Sequence, residues 1–132
     1  MNESAIEPTP EQIARLASST EEGPIAMVNL LRFREEAGEP DSGMSGAEAY
    51  GLYSQGVAPL LEAVGAKVLS AVQCRQSVIG PPEAEWHMSI IVEYPSPGAF
   101  IEMVSDPGYR EVAVHRTAAL ANSRLILSAR LV

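Results

Sequence analysis

The sequence predicts an α+β fold, one antiparallel sheet with its helices on a single face, and three observations lead there. Four segments read as strands, residues 24–33, 67–79, 86–94 and 124–132. The stretches after the first and third carry helix-capping residues and apolar side chains at three- and four-residue spacing. The second and third strands are separated only by the turn Gly80-Pro81-Pro82-Glu83-Ala84-Glu85. The order βαββαβ is that of the ferredoxin-like plait.

Thr9-Pro10-Glu11-Gln12 has a capping hydroxyl, proline at the first helical position and a glutamine able to return a hydrogen bond to the cap, which predicts a helix over 10–18. Residues 1–22 are expected to form an N-terminal helical arm, and 23–132 the single domain. Pro24 to Phe33 is apolar on both parities, which suits a strand covered on two faces. Residues 35–46 are rich in Glu, Gly, Pro, Asp and Ser and read as a surface loop ending in the capping box Ser45-Gly46-Ala47-Glu48. The helix that follows places Tyr50, Tyr53, Val57, Leu60, Leu61 and Val64 on one buried stripe, with a kink expected at Pro59 and a stop at Gly65.

In the third strand Trp86, Met88, Ile90, Val92 and Tyr94 share one face by alternation. Ser96 and Asp106 each precede a proline, so residues 97–121 are expected to form two consecutive capped helices with a break near Asp106. A plait covers only one face of its sheet. The other face is apolar here, with Val28 and Leu30 set opposite Met27 and Leu31, and a partner sheet is expected to cover it.

Composition removes several function classes. Seventeen acidic residues against nine basic ones, a formal net charge of -8, repel a phosphate backbone, so no nucleic-acid partner is expected. No apolar run approaches the roughly 18 residues of a membrane helix, and the first residues lack the basic and apolar regions of a signal peptide. The expectation is a cytoplasmic protein with no membrane partner. Cys74 is the one cysteine, which excludes an internal disulfide and a thiolate cluster. Two distant histidines make no metal site, and there is no phosphate-cradling glycine loop or serine-nucleophile elbow. No cofactor is expected.

Tyr50, Tyr53, Pro59-Leu60-Leu61, Gly65, Tyr94-Pro95-Ser96, Asp106-Pro107-Gly108-Tyr109, Arg116 and Leu125 together resemble the dimeric α/β-barrel family catalogued as domain of unknown function 1330, over about residues 24–130. The resemblance implies a homodimer in which two sheets pack face to face into a barrel, with a small-molecule pocket near the helices of each protomer. The wider superfamily includes cofactor-free monooxygenases, lactone isomerases and haem-degrading enzymes.

Within that frame Tyr109 and Arg116, two helical turns apart, project nearly the same way and can offer a phenol and a guanidinium fork to a carboxylate or enolate. The alternative for Arg116 is an ion pair with one of the many carboxylates. His115 is the residue best suited to proton transfer near neutral pH, although a histidine at a helix edge is commonly inert. Asn29 is an amide in an apolar strand and needs partners in protein, water or ligand. Some cofactor-free monooxygenases of the superfamily pair an Asn with a Trp and a His, which would correspond to Asn29, Trp86 and His115. Tyr53 is expected as a pocket wall. The function expected is binding of a small anionic or carbonyl-bearing molecule, with isomerase, lyase or monooxygenase chemistry or with no catalysis at all.

Overall fold

The computed structural model describes residues 4–132. Its elements are α1 (Pro10–Ala17), β1 (Ile25–Phe33), α2 (Gly46–Ala63), β2 (Lys67–Gln73), β3 (Met88–Tyr94), α3 (Pro97–Ser105), α4 (Pro107–Ala119) and β4 (Leu120–Ser128). The four strands form one antiparallel sheet in the order β2-β3-β1-β4, so the first strand is central although it comes first in the chain. This is the ferredoxin-like plait.

Local chemistry sets the helix starts. The capping boxes of Thr9 with Gln12 and of Ser45 with Glu48 are both closed in each direction. Ser96 and Asp106 cap α3 and α4 just ahead of Pro97 and Pro107, and Asp106 is also where α3 ends. α2 continues through the exposed Pro59 to Ala63, and Gly65 follows at φ +77°, the left-handed backbone that a side chain disfavours.

Strand ends depart from the expected ones. β2 stops at Gln73, because beyond it the chain pairs with β3 only through Cys74, and Val78 and Ile79 stand 86% and 95% exposed. β3 begins at Met88 rather than Trp86. β4 begins at Leu120, directly against the last residue of α4, and ends at Ser128: Leu120 is already extended at φ -100° and ψ 134°, so no loop is needed. The segment after Phe33 is also more built than a surface loop. Ala37 and Asp41 are buried, Gly38 N–H donates to the Ala118 carbonyl, and Arg34 N–H donates to that of Ala119.

Cross-strand register sorts the sheet into two faces. Ile25, Met27, Leu31, Val92 and Tyr94 point toward the helices and pack with Tyr50, Tyr53, Val57, Phe100 and Met103 in one core. The opposite face carries Val28, Leu30 and Ile91, half-buried, with Ile126 and Val72 about half exposed. No helix of the described residues is long and apolar enough to cross a membrane.

Glycine lets α2 approach its neighbours. A Cβ on Gly46 would lie 2.2 Å from the Arg34 carbonyl oxygen and 2.6 Å from that of Ala119, and one on Gly56 would lie 2.4 Å from Val112 Cγ1. A Cβ on Gly51 of the same helix meets nothing within 4 Å. Thermal melts of the three alanine variants should therefore split in sign. Gly46→Ala and Gly56→Ala lose about 1–3 kcal/mol through overpacking, whereas Gly51→Ala gains up to about 1 kcal/mol of helix propensity.

Candidate functional site

Two side-chain constellations lie on the helix side of the sheet. The first is aromatic. Tyr50 and Tyr53, on the buried stripe of α2, have ring centroids 5.3 Å apart with planes tilted by 50°, and Tyr53 meets Tyr109 of α4 edge-on at 6.2 Å. The Tyr53 and Tyr109 hydroxyls share a 3.1 Å hydrogen bond. One hydroxyl hydrogen is used between the two phenols, which leaves the other free to donate elsewhere.

Burial drives the electrostatics of this group. It pushes the Tyr50 phenol up to about 12, while the Arg116 guanidinium pulls in the opposite direction. Burial raises Tyr53 still further, reinforced by Tyr109, and burial raises Tyr94, with Tyr109 and Tyr50 adding to it. These phenols are therefore neutral donors rather than bases. Arg116 is half-buried and donates from Nη1 to the carbonyl of Ile6; no ion pair joins it to a carboxylate of the described residues. Tyr109 is bonded to Tyr53, and the Arg116 charge acts on Tyr50 and Tyr53.

The second constellation pairs His115 Nδ1 with Asp41 Oδ2 at 2.7 Å. The Asp41 side chain is 6% exposed and that of His115 is 27% exposed, so a nearly buried carboxylate holds one ring nitrogen while part of the ring reaches solvent. Sequence reading missed Asp41. It lies among turn-forming residues with no helical or strand period, and only the return of its loop onto the end of α4 brings it to His115.

The other expected residues lie elsewhere. Asn29 is on the helix-facing side of β1, where its amide donates to the Ile90 carbonyl at 3.2 Å and the Met27 carbonyl at 3.4 Å. Trp86 is on the opposite side of the sheet, its ring under the Arg124 guanidinium at 5.4 Å, because strand alternation does not extend back past Met88. Asn29, Trp86 and His115 are thus not brought together. His87 is structural: its Nδ1 accepts the Phe33 N–H at 2.9 Å, and burial, with Arg32 nearby, holds its pKa below the usual imidazole value. No group of three or more His, Cys, Asp or Glu residues suited to a metal ion occurs among the described residues.

Surface relief adds two grooves. One, of about 210 Å³, runs between Cys74, Ile79, Pro81 and Trp86. The other, of about 340 Å³, lies between Glu7, Glu39, Pro40 and the Arg110, Val114 and Thr117 positions of α4.

Residues 43–129 match the family model described as a domain of unknown function, DUF1330. The chain belongs to this family. The protein of unknown function RPA0582 from Rhodopseudomonas palustris is 43% identical, with 98% of this chain and 99% of that one covered and a TM-score of 0.91. Two more distant structures share the fold. SnoaB, a cofactor-independent oxygenase from Streptomyces nogalater, is 15% identical over 83% of this chain and 96% of its own, at a TM-score of 0.56. A dimeric protein of unknown function with a ferredoxin-like fold from Bacteroides fragilis is 8% identical over 83% and 98%, at 0.54. No curated protein matches the chain in sequence.

The perturbed groups set opposite pH limits on stability. The buried phenols stay protonated in the folded chain above pH 10, where an unfolded tyrosine ionises, so the folded state holds more protons and stability falls as pH rises past about 10. His87 has a lowered folded pKa, so its contribution is present above about 6.5 and is lost as pH falls below that value. Chemical denaturation across pH 5–11 should show both losses. His87→Gln should flatten the acid side alone.

Proposed function

We propose that the protein is a homodimer that binds a small anionic or carbonyl-bearing organic molecule on the helix side of each sheet and transfers a proton to or from it without a cofactor. The observation that carries this reading is the His115–Asp41 pair. A histidine is a useful base only if one nitrogen is held as a donor and the other is left free to accept. Asp41 accepts from Nδ1–H, which orients the ring and leaves Nε2 as the nitrogen to take up a proton. Proton abstraction beside a carbonyl leaves negative charge on oxygen. The Arg116 guanidinium and the spare hydroxyl hydrogen of the Tyr53–Tyr109 pair are the donors suited to that charge.

Isomerase or lyase chemistry fits these groups better than oxygenation, since the Asn29 amide is occupied by sheet carbonyls and Trp86 lies across the sheet. Binding without catalysis is the second reading, since Arg116 and the tyrosine hydroxyls offer donors to an anion without any part for a base. Proton exchange separates these readings. In D2O with a panel of 2-oxo and 3-oxo carboxylates, followed by NMR, the wild type should exchange the activated C–H of at least one compound. His115→Gln should slow that exchange by about 10²–10⁴-fold. If thermal shifts with the same compounds persist while no exchange occurs in either protein, the chain is a binding module.

Dimerisation is supported by the uncovered apolar sheet face and by the dimeric state of the Bacteroides fragilis neighbour. Light scattering should give about twice the 14.1 kDa chain mass. Ile126→Glu, at a half-exposed position of that face, should return the single-chain mass without loss of secondary structure.

A further inference from the structure

The segment just before α1 has no regular secondary structure, yet three successive residues are each tied down by side chains of α4 and β4. Ala5 N–H donates to Asn122 Oδ1 at 2.9 Å, and the Ser123 hydroxyl donates to the Ala5 carbonyl at 2.6 Å. Arg116 donates to the Ile6 carbonyl, and the Thr117 hydroxyl donates to Glu7 Oε1 at 3.1 Å. Ile6 packs against the core cluster while Ala5, Glu7 and Pro8 are exposed.

Arg116 is the informative partner. A half-buried guanidinium normally has a carboxylate, and this chain has seventeen acidic residues to choose from. Glu7 is one residue from the contact, yet its carboxylate goes to Thr117. Among the described residues, Arg116 instead takes a neutral backbone oxygen, in a place where its charge is felt by the Tyr50 and Tyr53 phenols. An ionised acceptor bonds a guanidinium about twice as strongly as a neutral one. A ligand carboxylate therefore has a clear advantage for the same donor.

We propose that the Ile6 carbonyl is a built-in surrogate for the ligand: residues 5–7 form a strap that occupies the Arg116 anion site, and a bound carboxylate displaces it. This rests on the proposed anion-binding role of Arg116 and adds its regulation. The strap is suited to the task because it is held by side-chain hydrogen bonds rather than a backbone ladder, so it opens without disturbing the sheet. Its release leaves α1 in place, since Leu16 has its own contact with the core.

The probe is benzoate, whose carboxylate suits the guanidinium and whose ring suits the Tyr53–Tyr109 edge. In the full-length chain, Ser123→Ala combined with Thr117→Val removes two of the strap's anchors and leaves Arg116 untouched. This variant should bind benzoate about tenfold more tightly than wild type by calorimetry, with an unchanged circular dichroism spectrum. In the wild type, saturating benzoate should accelerate exchange of the Ala5 amide, which is bonded to Asn122 in the closed strap, and spare β1. If Arg116→Gln abolishes binding but the strap variant binds no more tightly and the Ala5 amide stays protected, the anion site stands and the strap proposal is overturned. Weaker binding by the strap variant makes the strap a wall of the site, which also overturns displacement. Binding that is the same with and without Arg116, or absent from every variant, removes the anion site itself and the strap proposal with it. Should the double variant not fold, Ser123→Ala alone serves, with the same outcomes.

Discussion

The close approach of α2 to α4 is the constraint on which the rest of the helix side depends. It is set where Gly56 faces Val112, a contact with no room for even one methyl group. Gly56 lies three residues beyond Tyr53, and Val112 three beyond Tyr109, so the same spacing one helical turn away is what lets the two phenols meet at 3.1 Å. A wider separation would leave both hydroxyls buried without each other, and a buried hydroxyl without a partner costs roughly 1–3 kcal/mol. Packing and polar satisfaction are therefore one condition, imposed by a glycine.

A second consequence concerns charge. The chain carries an excess of acid, but the helix-side cluster holds a guanidinium among phenols that burial keeps neutral. The acidic excess lies largely on exposed positions, where water screens it. The buried exception, Asp41, is committed to His115. The two constellations therefore divide the chemistry: one offers positive charge and hydroxyl donors, the other an oriented imidazole. They stem from adjacent residues, His115 and Arg116, which a helix turns about 100° apart.

How much of this was legible in the sequence follows from range. Thr9, Ser45, Ser96 and Asp106 act on backbone within three residues of themselves, so the starts of all four helices could be read directly. The stripe from Tyr50 to Val57 and the two faces of β1 follow from periodicity in the same way. Trp86 shows where such reading ends. Alternation held from Met88 to Tyr94 because a partner strand enforces it, and two residues upstream, without that ladder, the ring went to the other side of the sheet. Asp41 and Ile6 show the same limit at longer range, since their partners lie 74 and 110 residues away and no local pattern marks either contact.

The two faces of the sheet differ in how completely the chain satisfies itself. On the helix side, apolar residues meet a core and no buried side-chain polar atom among the described residues lacks a hydrogen-bond partner. On the other side, Val72 and Ile126 remain about half exposed beside Val28, Leu30 and Ile91, while Arg32 and Arg124 stand on that same face and bind the Ala84 and Glu85 carbonyls and the Trp86 ring. Polar groups thus gather at one end of this face and apolar groups across its middle. The two sides also differ in how their backbone is held. The strand β1 is paired along its length on each side, while residues 5–7 and the 34–45 loop are held by a few hydrogen bonds each. The densest backbone hydrogen bonding is thus in the sheet, and the sparsest is in the segments bonded to Arg116 and His115.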